Sequence, residues 1–109
     1  MKITDDLTDR ELLELAGEAA GYEFQFCLDT GKPVIVDMKG GGTYWNPIED
    51  DGDAFRLAVK CRMHVNVYYN DTRVTADDVF LCEMHNGNPH AATRRAIVRA
   101  AAEIARSKV

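Results

Sequence analysis

One hundred and nine residues, 46% of them apolar, make one domain (residues 1–109) with room for a modest core. A net charge of −5 and a sequence pI near 5.1 argue against the basic surface that nucleic acids select. No apolar run approaches the roughly 18 residues of a membrane span. The charged stretch Met1 to Gly21 also lacks the apolar region and cleavage site of a secretion signal, so a cytoplasmic chain is expected.

Thr8-x-x-Glu11 has the spacing of a capping box and predicts a first helix. Leu12, Leu15, Ala16 and Ala19 form its apolar stripe, and Gly21 is the left-handed residue that ends it. From Tyr22 the period changes to two. Tyr22, Phe24, Phe26 and Leu28 are expected on one face of a strand, followed by a turn at Asp29-Thr30-Gly31-Lys32 and an antiparallel strand from Pro33 to Met38. Pro33 fits the first strand position, where its missing donor matters least.

Gly40-Gly41-Gly42-Thr43-Tyr44-Trp45-Asn46-Pro47 comes next. A glycine run loses much backbone entropy on folding, and the only tryptophan of the chain is its natural anchor. Asp50 or Asp51 caps a second helix running to about Arg62, with Ala54, Phe55, Ala58, Val59 and Cys61 as its apolar face. Acidic residues in its first turn, and Lys60 and Arg62 in its last, suit the helix dipole. Met63, Val65, Val67 and Tyr69 alternate with polar residues in a third strand, and Asn70-Asp71-Thr72-Arg73 is expected to turn the chain. Val74 to Asp78 reads as a loop or a short strand extension, and Val79 to Met84 as a fourth strand ended by Asn86-Gly87.

Asn88 at the N-cap and Pro89 at the first helical position open a last helix. Its seam is Ala92, Ala96, Ile97, Ala100 and Ile104, with Arg95, Arg99 and Arg106 expected on one exposed side. Residues 88–109 hold five basic side chains against Glu103, a balance of +4, which leaves −9 on residues 1–87. Such a helix either steers an anion or pairs with its own acidic neighbours. The predicted order is α-β-β-α-β-β-α: an α+β fold with a single antiparallel sheet of about four strands and helices packed on it.

Chemical motifs are few. Lys39 precedes the glycines and no G-K-[ST] follows, which excludes a phosphate loop. Placing Gly52 at the sixth position of a calcium loop puts Pro47 at the first and Ala58 at the twelfth, where carboxylates are needed. Cys82-x-x-His85 would need a bent strand to converge on a metal, and Cys27, Cys61 and Cys82 contain no C-x-x-C pair. Free thiols and no metal are expected. Ser107 is the lone serine, and no nucleophile–base grouping is evident, so no catalytic residue and no cofactor are expected.

Trp45-Asn46-Pro47, the acidic helix after it, and Gly87-Asn88-Pro89-His90-Ala91-Ala92 leading into Arg94-Arg95-Ala96-Ile97 together resemble the small phage and prophage proteins of the phage "ABA sandwich" domain family, to which NinX-type proteins are similar. The resemblance runs from Leu7 to Ile104. It implies a sheet with helices and a phage or prophage accessory protein of the bacterial cytoplasm. Because members of that family are largely without an assigned activity, it supplies no catalytic residue.

The resulting expectation is a binding protein rather than an enzyme. A small anionic or nucleotide ligand would be held by Gly41, Gly42, Tyr44 and Trp45 together with Asn88 and Arg95 at the start of the last helix. The alternative for Trp45 is a plug in the core, with the glycines only making the turn. The alternative for the whole molecule is a protein–protein inhibitor or host-factor binder using a sheet edge or its acidic face. The expected partners are therefore a second copy in a homodimer, a host protein or a small nucleotide, and neither nucleic acid nor a membrane.

Overall fold

The computed structural model of the chain describes residues 7–36 and 41–107. Thr8 opens helix α1 (Asp9–Ala20) with both halves of the capping box: its hydroxyl accepts from the Glu11 N–H at 3.1 Å, and Glu11 Oε1 accepts from the Thr8 N–H at 3.0 Å. Gly21 ends the helix at φ 77°, in the left-handed conformation that a glycine adopts without strain. The chain then doubles back as β1 (Glu23–Phe26), β2 (Pro33–Val36) and β3 (Gly42–Tyr44), an antiparallel sheet in that order. Phe24 packs on α1 opposite Gly17, where an added Cβ would sit 3.1 Å from the Phe24 Cβ. The helix is bare there so that the strand can approach.

After helix α2 (Asp51–Lys60), strands β4 (His64–Val67), β5 (Asp71–Ala76) and β6 (Val79–Met84) form a second antiparallel sheet, again in chain order. Helix α3 (Pro89–Ser107) fills the middle of the molecule. It packs on α1 and α2 and also on β5 and β6, and from Ala96 to Ala102 every residue is buried. Four alanines in that stretch (96, 100, 101 and 102) and Ala105 just beyond it let helix and sheet approach from all sides. The seam expected at Ala92, Ala96, Ile97, Ala100 and Ile104 is buried, within a burial that extends around the whole helix.

The α+β class and the three helices are as expected, but the sheet is not one sheet of about four strands. The described residues form two sheets of three strands each. The first gains β3, three residues that pair Val34 with Tyr44 and Ile35 with Thr43. A strand that short, beginning in a glycine run, shows no alternation to read. The second gains β5, because the turn lies at Tyr69-Asn70, where the Tyr68 N–H donates to Asp71 O at 2.8 Å. Asp71, Thr72 and Arg73 are therefore strand residues. Asp77, at φ 50°, begins the next tight turn, in a conformation that Asp tolerates better than most residues.

Other boundaries move less. The first strand stops at Phe26, where Cys27 O accepts from the Gly31 N–H at 2.7 Å, so Leu28 sits fully exposed in a turn rather than beside Phe24. Helix α2 stops at Lys60. The second strand is described to Val36, and the expected stretch to Met38, like Lys39 and Gly40, lies outside the described residues.

Candidate functional site

The acidic entry to α2 is bonded internally. Asp50 caps the helix by accepting from the Asp53 N–H at 2.8 Å, and Asp53 accepts from the Asn46 N–H at 2.9 Å and from Arg56 at 2.8 Å. The Asp53 carboxylate raises the Arg56 guanidinium above its ordinary value, chiefly through this hydrogen bond. Asn46 Oδ1 in turn accepts from the Ile48 and Glu49 N–H groups. Arg94 of α3 reaches across, its Nε to Ile48 O and its Nη1 to Asp51 Oδ1, both at 2.7 Å. These bonds fix α2 to the start of α3.

Beyond that fixation a gap opens along α2. Between α2, the inner face of β4 and the first turns of α3 lies a groove of about 680 Å³. Phe55 and Val59 form one wall, Met63, Val65 and Val67 the other, and Ile97 and Thr93 the floor. Phe55 is 69% exposed, Val59 60% and Val67 59%. Both apolar residues of the α2 wall belong to the expected apolar face of that helix. Ala54, Leu57 and Ala58 face the interior, and Phe55 and Val59, four residues apart, make a second stripe beside it. Arg94, His90 and Asp51 stand at the α3 end of the groove, and with Arg62 and Thr93 of the floor they are the charged and polar members of its lining.

Beneath the floor runs a buried polar chain. Thr93 Oγ1 lies 2.6 Å from Thr72 Oγ1, which lies 2.9 Å from His85 Nε2. The His85 N–H donates to Asn70 O and its carbonyl accepts from the Asn88 N–H, both at 2.9 Å. Next to Thr72 in the sheet, Glu83 pairs with Arg99 of α3. These bonds tie the groove floor to the middle and far strands of the second sheet. Arg99, expected on an exposed side, is 9% exposed. Arg95 is bonded to Asp9 at 3.1 Å and Arg106 lies 3.8 Å from Glu103, so the described arginines of α3 largely pair with the protein's own carboxylates.

The residues expected to hold a small ligand do not come together. Trp45 is 3% exposed and meets the rings of Tyr22 and Phe24 edge-on at centroid distances of 5.5 and 5.7 Å, which makes it the core plug. Gly41, Gly42 and Tyr44 lie exposed at the first sheet, with Lys32 5.2 Å from the Tyr44 ring. Arg95 faces α1. Asn88 caps α3 by accepting from the Ala91 N–H at 3.1 Å. Among the described residues no three His, Cys, Asp or Glu side chains are placed to share a metal ion, and no helix is long and apolar enough to cross a membrane.

One thiol has a distinct environment. The Thr30 hydroxyl, followed by the N–H groups of Thr30 and Asp29, lowers the Cys27 pKa below that of an ordinary thiol. Thr30 is itself oriented by accepting from the Lys32 N–H at 3.2 Å.

The groove was not read from the sequence, although two signals for it were present. The apolar face of α2 is one position too wide for a helix that buries a single stripe, and residues 63–70 carry no formal charge. Compared with known proteins, the chain matches no family model and shows no significant similarity to a curated protein or to a solved structure.

Proposed function

We propose that the protein acts by binding a protein partner, which lays an extended segment along β4 with apolar side chains in the groove between α2, β4 and α3. The observation that carries this reading is the set of exposed apolar side chains around one concavity: Phe55, Val59 and Val67, over Met63, Val65 and Ile97. The strand edge supplies the rest. Tyr68 and Asp71 form a hydrogen-bonded pair, and such pairs alternate, so the amides and carbonyls of Asn66 and His64 point into β5. Those of Val65 and Val67 point away from it, free to pair with an added strand.

The small-ligand form of the binding hypothesis keeps support only from Tyr44 and Lys32, since Trp45 is committed to the core. An accessory role in a phage-infected bacterial cytoplasm, without catalysis, stays part of the proposal through the resemblance described above.

Selection from a displayed random peptide library tests the reading. Enriched peptides should carry apolar residues at alternate positions and shift the amide resonances of Val65, Val67 and Ile97. They should lose roughly tenfold or more in affinity against the Val59→Glu variant. Peptides that bind this variant unchanged, or that map to another surface, would overturn it.

A further inference from the structure

We infer that the strand that occupies this edge is β4 of a second copy of the chain, paired antiparallel about a two-fold axis at Asn66. The inference rests on the groove reading above and names its partner. Three observations point to a second copy.

The first is the character of the edge. Native sheets commonly protect an open edge with charge, proline or brevity. Of the outer strands here, β1 carries Glu23, β6 carries Glu83, and β3 has three residues. β4 carries neither charge nor proline, and the whole run from Met63 to Asn70 is uncharged. An unprotected edge suits a strand that is normally covered.

The second is register. With the axis at Asn66, Val65 of one copy falls opposite Val67 of the other, and both have outward-pointing amides and carbonyls. The two Val65–Val67 pairs then exchange four hydrogen bonds, and the two Asn66 side chains meet as a neutral pair on the outer face. His64 falls opposite Tyr68, which brings no like charges together.

The third is shape. Tyr69, 95% exposed at the tip of the β4–β5 turn, is the most exposed aromatic side chain among the described residues. In this register it falls opposite Met63 of the second copy, at the wall of the groove. Each copy therefore offers a projecting aromatic residue and a concave apolar surface on one edge, which is the self-complementarity a two-fold interface requires.

Sedimentation velocity with variants at the axis tests the pairing. The wild-type chain should sediment as a dimer. Asn66→Lys or Asn66→Asp should each weaken it roughly tenfold or more by placing like charges opposite each other, while an equimolar mixture of the two should dimerise again. Asn66 is exposed on the outer face, and thermal unfolding checks that both variants fold. Should either fail to fold, oxidation of Asn66→Cys in a Cys27→Ser, Cys82→Ser background replaces it, and a covalent dimer is expected, since opposed residues of a non-hydrogen-bonded pair lie within disulfide reach. A wild-type monomer at all concentrations, a dimer indifferent to both charges, or a mixture that stays monomeric overturns the inference. Peptide binding measured on the monomeric Asn66→Lys variant is a separate arm, so loss of the dimer leaves the groove reading to stand or fall on its own.

Discussion

Cys27 shows how far one side chain's chemistry can depend on the three residues after it. The turn that ends β1 folds the Thr30 hydroxyl and two backbone N–H groups toward the sulfur, and each of these stabilises the thiolate over the thiol. A lowered pKa means that the reactive thiolate persists to lower pH, and that reactivity falls as pH drops through the lowered value. Alkylation of Cys27 by iodoacetamide, followed by mass spectrometry across a pH series, should therefore show a midpoint below that of an ordinary thiol. Thr30→Val removes the first of the three causes and should move that midpoint upward, with the fold unchanged. An identical midpoint in the two proteins would mean that the backbone amides alone account for the effect. At this scale the sequence was informative about type and silent about neighbours. Asp29-Thr30-Gly31-Lys32 was legible as a turn, but nothing in its spacing announces that Thr30 faces Cys27. Trp45 was legible as an anchor, and its burial against Tyr22 and Phe24 decided between plug and ligand platform.

Among the elements, α3 departs most from its expected role. A helix with four arginines looks like an exposed face, yet Arg99 is buried between α3 and the second sheet with Glu83 as its partner. Removing Glu83 takes a carboxylate away from a guanidinium that is held out of water. Glu83→Ala should destabilise the protein by about 3–5 kcal/mol, whereas the double variant Glu83→Leu, Arg99→Met should recover most of that loss. Urea unfolding of the three proteins measures both, and equal losses in the single and double variants would show that packing, not charge, dominates there. The same interface explains why β5 was hard to read. A helix stripe or an alternating strand is legible because burial follows hydrophobicity, and Thr72 breaks that correspondence. It is fully buried because its hydroxyl has partners in Thr93 and His85, which lie 21 and 13 residues away. Long-range polar satisfaction leaves no local signal. Neither does an edge: β4 was legible as a strand, but its position at the outside of its sheet depends on where α2 ends up.

The whole molecule has an uneven stability that follows from its layers. The second sheet is held to α3 by Val74, Leu81 and the buried polar chain, and α3 is held to α1 and α2 along much of its length. Among the described residues the first sheet shares no strand pairing with the second and rests on α1 through Phe24 and through Phe26, whose ring lies 3.7 Å from the Arg10 guanidinium, with Trp45 closing the corner beyond β3. Opening that sheet exposes few residues, while opening α3 exposes the core. Native-state hydrogen exchange should therefore place α3 and β5 at the global unfolding free energy and β1 to β3 below it. Trp45→Ala should cost about 3–5 kcal/mol, and its loss should fall unequally. Protection should drop most at the amides of β1, β2 and β3, while those of Val74 and of Ala96 to Ala102 remain the slowest in the protein. A uniform drop across both sheets would mean that the two share one cooperative unit and that Trp45 holds the entire fold. The expected partition also bears on the groove: the surface assigned to binding is built on the more stable part, so its walls are set before any partner arrives, and the ordering that a partner must supply is correspondingly small.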